Sequence, residues 1–166
     1  GIIMNKEGAY EMGLEDNTGA LQGAFSPCWR WFGSVRVPIH EWTHVAMAYD
    51  GVSEIHYVHG INQETDPCGT GGDITNTAQP LRIGARSGIE SFCGGAANCD
   101  HSSQFQGDVD EVMLFNRAIT AQEITNLKNV NYRTGGGMTN VYAAGEPNPA
   151  QLPGGCVGFW PLDGDG

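Results

Sequence analysis

The chain has 166 residues, a net charge of −11, and 25 glycines, with 40% hydrophobic and only 16% charged residues. That length fits one domain, or one domain with an appendage, and suffices for a sizeable core. The acidity excludes a nucleic-acid binder, since no basic stripe exists to neutralise phosphates, and no apolar run reaches the ~18 residues of a membrane span.

The abundance of Gly, Asn, Thr and Ser predicts a turn-rich, all-β chain. Ile2 to Lys6 and Tyr10 to Leu14 read as strands, and Asp16 to Gly19 is a turn. Leu21 to Phe25 continues outward. Glu41 to Asp50 is the clearest strand: Trp42, His44, Ala46 and Ala48 share one face, and Thr43, Val45, Met47 and Tyr49 the other. Asp50-Gly51 is a turn signal, Glu54 to Val58 the next strand, and His59-Gly60 a second turn. Residues 61–79 read as a polar loop. Pro80 to Gly84 is a short strand, and residues 86–103 are an insertion. A glycine turn at Gly107 leads into a strand ending near Phe115. A helix follows from about Ala121 to Asn129, opened by a capping box of Thr120 and Glu123. Residues 130–155, rich in Gly, Asn, Ala and Pro, read as a linker before a terminal strand in 156–166.

Five cysteines in an acidic β-rich chain point to an oxidising compartment. None forms a C-x-x-C pair, which argues against a zinc knuckle. Cys93 and Cys99 flank a flexible loop that a local disulfide could close. Cys28 and Cys68 are the next pair, leaving Cys156 over. The chain begins at Gly1 without a signal peptide, as a mature form or an excised piece would.

Several motifs together resemble one family. The stretch carrying Gly107, Val109, Asp110, Glu111, Val112, Leu114, Phe115, Asn116, Ala118, Glu123 and Ile124 resembles the closing strand of laminin-G-like (concanavalin A-like) jelly-roll domains. Trp42, His44, Val45, Ala46, Tyr49, Asp50 and Gly51 match its W-x-H-V-A-x-x-Y-D-G pattern. Tyr57-Val58-His59-Gly60 matches Y-V-N-G with His for Asn, and Pro80-Leu81-Arg82-Ile83-Gly84 matches P-L-x-I-G. The resemblance implies an all-β fold, an antiparallel β-sandwich with one short C-terminal helix, over 1–129. It also implies that Trp42 is core. The family's opening strand, W-P-L-D, does not precede Ile2 but recurs as Trp160-Pro161-Leu162-Asp163. The terminal segment would then complete this sandwich, complete a neighbouring copy, or open a next repeat.

Four carboxylates are metal candidates: Asp108, Asp110, Asp163 and Asp165. Calcium takes several oxygen ligands on Gly-containing turns. The resemblance implies a structural calcium where first and last strands meet, held by Asp110 with Asp163. The alternative is that Asp110 caps a turn. Asp66 and Asp73 flank a Gly-rich loop, read as solvated. The five histidines form no tight zinc constellation. Trp29 and Trp31, two apart, share one strand face. They are either a stacking platform for a sugar ring or ordinary core.

Glycosidases of this jelly roll carry E-x-D-x-x-E on one strand. The nearest run here, Asp108-Val109-Asp110-Glu111-Val112-Met113, fails at both catalytic ends, and no G-x-S-x-G element is present. The expected function is a noncatalytic recognition or adhesion module, secreted or at the cell surface, that binds a glycan or an extracellular protein. The alternatives are a structural subunit self-associating through 157–166, and a glycosidase-like remnant.

Overall fold

Period-two burial and short glycine turns give this chain its sheets. The computed structural model describes residues 1–26, 28–69, 71–86, 104–129, 142–143, 146–147, 153–160 and 162. The first sheet has the order β3-β2-β1-β7, built from β1 (Ile2–Lys6), β2 (Tyr10–Leu14), β3 (Leu21–Phe25) and β7 (Leu81–Ile83). The second has the order β4-β5-β6, from β4 (Val45–Tyr49), β5 (Ser53–Val58) and β6 (Ile61–Pro67). A third, two-stranded sheet joins β8 (Val112–Phe115) to β11 (Cys156–Trp160). Helix α1 spans Ala121–Asn129, and a small ladder joins β9 (Tyr142–Ala143) to β10 (Glu146–Pro147). All the ladders between these strands are antiparallel. The architecture is an antiparallel β-sandwich with one short helix.

The two larger sheets pack through a few close contacts. Phe25 of β3 stacks on Tyr49 of β4 with ring centroids 5.4 Å apart. Cys68, Tyr10, Cys28 and Met47 surround that pair. Met47 lies directly over Gly23, where a Cβ would fall 1.8 Å from its terminal carbon, so a side chain there would displace the Met47 thioether.

Helix α1 covers the opposite face of the second sheet. Ile124 packs with Ala48 and Tyr57, against Ala46, Ile55, Ala118 and Ile119. Leu127, one turn on, packs against Met113, Phe115, Ile119 and Phe159. The helix therefore ties the second sheet to the β8–β11 pair. Its start is the anticipated capping box. The Thr120 amide donates to Glu123 Oε2 at 2.7 Å, and the Glu123 amide donates to Thr120 Oγ1 at 3.2 Å. The Arg117 guanidinium bonds the same carboxylate, which with the Thr120 amide holds Glu123 down at about 2.

Two expectations need correction. Residues 61–67 are a strand, not a loop: β6 pairs with β5 across the His59-Gly60 turn, whose φ values of 54° and 80° suit a two-residue hairpin. Trp42 is not core but 63% exposed. Regular pairing starts only at Val45, so the alternation that buries Ala48 does not reach back to Trp42. Leu162 is likewise 44% exposed. The packed side chain of the terminal segment is Phe159, while the Trp160 ring folds over Gly158.

Strand β11 pairs with β8 of the same chain, with Trp160 opposite Val112 and Phe159 opposite Met113. Full burial of a Phe side chain contributes up to about 3 kcal/mol, and the half-buried Phe159 supplies a part of that to a marginal stability. Truncation after Gly155 is therefore expected to lower the melting temperature clearly, and Phe159→Ala to reproduce part of the drop. Equal melting of full-length and truncated chains in differential scanning calorimetry would show that β11 does not stabilise the sandwich.

Candidate functional site

The second sheet carries polar residues on a face that should be apolar. Tyr49 sits opposite Glu54 and Met47 opposite His56 in the β4–β5 ladder. Glu54 in turn faces Asp66, and His56 faces Glu64, across β5–β6. Cross-strand partners share a face, so Glu54, His56, Glu64 and Asp66 lie on the side where Met47 and Tyr49 meet the first sheet. Glu54 is 2% exposed and His56 0%. Unpaired carboxylates at such depth would cost several kcal/mol.

Each of the four has a partner. His56 Nε2 donates to Glu54 Oε1 at 2.7 Å, and His56 Nδ1 lies 3.7 Å from Glu64 Oε2. The Ser34 amide donates to both Glu64 oxygens, at 3.1 and 2.9 Å, and the Ser34 hydroxyl adds a third bond. Burial pushes the Glu64 carboxyl upward. The Ser34 hydroxyl and amide, with His56 beside them, outweigh it and leave the group below its ordinary range. Asp66 is ion-paired with Arg30.

The segment that supplies Arg30 and Ser34 crosses this face. It is fastened at one end by a disulfide between Cys28 and Cys68, with Cα atoms 5.3 Å apart. At the other it bridges β3, Phe32 opposite Gly23 and Arg36 opposite Ala20. Between them, Gly33 passes so close that a Cβ would meet Leu21 O at 1.8 Å and His56 Cε1 at 3.0 Å. The Phe32 ring lies 5.1 Å from the His56 ring. A cleft of about 360 Å³ opens beside the disulfide, lined by Cys28, Arg30, Glu54, Asp66, Pro67, Cys68 and Gly69.

Trp29 and Trp31 flank Arg30 on this segment. Trp29 is half-buried and Trp31 36% exposed. They do not sit on a regular strand as the spacing suggested, since pairing begins only at Phe32. Neither lines the cleft itself.

The metal candidates lie elsewhere. Asp110 Oδ1 accepts the Glu111 amide at 2.8 Å, and Glu111 adopts φ 52°, a turn-capping arrangement. Asp108 is exposed. Asp163 and Asp165 lie outside the described residues, as do Cys93 and Cys99. Among the described residues no group of three or more His, Cys, Asp or Glu is placed to hold a metal, and Cys156 is a free thiol. Asp73 is exposed in the loop after the cleft.

A second buried polar group sits in the first sheet. Asn5 hydrogen-bonds Glu11, and Arg86 reaches Glu11 Oε2 at 3.1 Å and Glu7 Oε2 at 3.3 Å. Burial raises the Glu11 carboxyl, opposed by Arg86 and Asn5.

A family profile described as the concanavalin A-like lectin/glucanases superfamily matches residues 1–125. The chain belongs to that superfamily. Among solved structures it is similar to a protein from Bacteroides ovatus ATCC 8483 described as a candidate carbohydrate binding protein. The two are 22% identical with a TM-score of 0.65, over 99% of this chain and 41% of that one. It is also similar to an S-layer domain-containing protein (residues 221–444) from Clostridium thermocellum ATCC 27405, 19% identical with a TM-score of 0.43, over 72% of this chain and 56% of that one. This chain thus spans about half or less of the length of either structure, and the likeness is one of fold. The comparison with curated proteins gives no match.

The superfamily's sequence patterns give no hint of the Glu54, His56, Glu64 and Asp66 ladder. The signal was present as E-x-H and E-x-D on either side of His59-Gly60. Reading 61–79 as a loop hides it, because residues of a loop share no face.

The disulfide is the tether for the Trp29–Trp31 segment. Closing a loop of sequence separation 40 stabilises by about 4 kcal/mol at most. Non-reducing peptide mapping should recover a Cys28–Cys68 cross-linked peptide, and Cys28→Ser should lower the melting temperature. Free thiols at both positions in protein purified without reductant would refute the link. The same map reads the pairing of Cys93 and Cys99.

Proposed function

We propose that this domain is a noncatalytic glycan-recognition module of a secreted or cell-surface protein. The observation that carries the reading is the cleft beside the Cys28–Cys68 disulfide, with Arg30, Glu54 and Asp66 in a partly apolar lining and Trp31 exposed next to Arg30 in the chain. Ligand sites are concave, with a few convergent polar groups, and sugar rings pack their C–H faces on aromatic surfaces. The candidate carbohydrate binding protein of the same fold supports the choice of ligand, and the disulfide supports an oxidising location.

The carboxylates of the cleft support binding over hydrolysis. A retaining glycosidase needs one protonated acid and one carboxylate free to attack. Here Asp66 is engaged by Arg30 and Glu54 by His56. Profiling against a polysaccharide array should give binding to at least one glycan, weakened about tenfold by Trp31→Ala through loss of stacking. Absence of binding to any glycan would overturn the reading, and so would turnover of chromogenic glycosides.

Calcium enters this proposal only as a structural ion. The family resemblance supports it. The described residues supply just Asp108 and Asp110, and Asp110 already caps its turn, so they do not complete a site without Asp163 and Asp165. An ion bound only by the folded state raises stability by mass action. EDTA should then lower the melting temperature, calcium should restore it, and Asp110→Ala should abolish the response. Identical melting in both, with no calcium by elemental analysis, would remove the ion from the account.

A further inference from the structure

The cleft also constrains the kind of glycan, given that the domain binds one. We infer that it takes an uncharged sugar unit, held by its hydroxyl groups, and rejects polyanionic glycans. This rests on the glycan-recognition reading above.

Charge is the first observation. The lining holds the carboxylates of Glu54 and Asp66 against the single guanidinium of Arg30, in a chain of net charge −11. A uronate or sulfate entering would face like charge at short range, where a low dielectric strengthens repulsion. The one cation among the described lining residues is already ion-paired with Asp66. An anionic sugar would have to compete with a carboxylate for it.

The same pairing argues against a cationic amino sugar. Glu54 accepts from His56 at 2.7 Å, and Asp66 is held by Arg30. Both carboxylates already accept from a neighbour, so an ammonium would have to displace His56 or Arg30 to pair with either directly. Sugar hydroxyls fit the arrangement without breaking it. A hydroxyl both donates and accepts, so vicinal hydroxyls can donate to carboxylate lone pairs and accept from guanidinium N–H groups. Pro67 and the disulfide give the lining an apolar part, against which a pyranose C–H face can rest.

Size is the second observation. About 360 Å³ lies at the small end of ligand-pocket volumes, which suits a short terminal unit more than an extended chain.

The test is isothermal titration with three sets of oligosaccharides: neutral hexose oligomers, heparin or alginate oligomers, and chitosan oligomers, each at low and high sodium chloride. Arg30→Gln, on an exposed side chain, is measured beside Glu54→Gln and Asp66→Asn, with melting temperatures to confirm folding. The expected result is binding to neutral oligomers that changes less than about twofold with salt. Arg30→Gln and Asp66→Asn should each weaken it about tenfold or more. Preferential, salt-sensitive binding to heparin, alginate or chitosan would overturn the inference while leaving glycan recognition standing. Neutral binding indifferent to Arg30→Gln would overturn it by placing the site elsewhere. No binding to any of the three sets, nor to a wider polysaccharide array, would overturn both readings together.

Discussion

A carboxylate taken out of water must find donors, and the inner face of the second sheet buries Glu54 fully and Glu64 and Asp66 in part. That constraint organises the whole side of the sandwich beside the disulfide. Glu54 leans on His56, and Glu64 draws in the Ser34 hydroxyl and amide. Ser34 can arrive only because Gly33 lets the backbone graze His56. Asp66 draws in Arg30. The path of residues 28–36 is thus set by the charges it must neutralise as much as by its pairing with β3. An apolar face would have packed directly on the first sheet and left no cleft.

The other side of the same sheet follows ordinary hydrophobic logic. Ile124 and Leu127, three positions apart on α1, reach two different clusters. One belongs to the second sheet and the other to the β8–β11 pair. The capping box at Thr120 and Glu123 fixes where the helix begins, and so which residues face inward. The functional face tolerates polar groups because the opposite face supplies apolar burial.

Much of the fold was legible in the sequence. Strands β1, β2 and β3, the helix and its cap, and the left-handed turn at His59 all follow from local patterns that the structure repeats. The polar ladder was not, and the reason is physical. Counting outward from the His59-Gly60 turn pairs Val58 with Ile61 and Tyr57 with Asn62. The same count would place Gln63 opposite His56 and Thr65 opposite Glu54. A register shift between His56 and Tyr57 moves Glu64 and Asp66 into those positions. A one-residue slip changes the face of every side chain beyond it, and nothing in the local composition announces one. Trp42 is exposed for a related reason: alternation describes a strand only where the ladder exists, and here it starts at Val45.

The disulfide has a consequence for how this domain can vary. All the described residues lining the cleft fall between positions 28 and 69, and Cys28 and Cys68 close that stretch into a ring. The strands of the first sheet lend no described residue to that lining. The ring holds the whole second sheet, so it carries both the cleft and part of the core. The exposed rim of the cleft, at Arg30 and Gly69, can be substituted to retune what it accepts, but a change at Arg30 must also answer for the charge of Asp66.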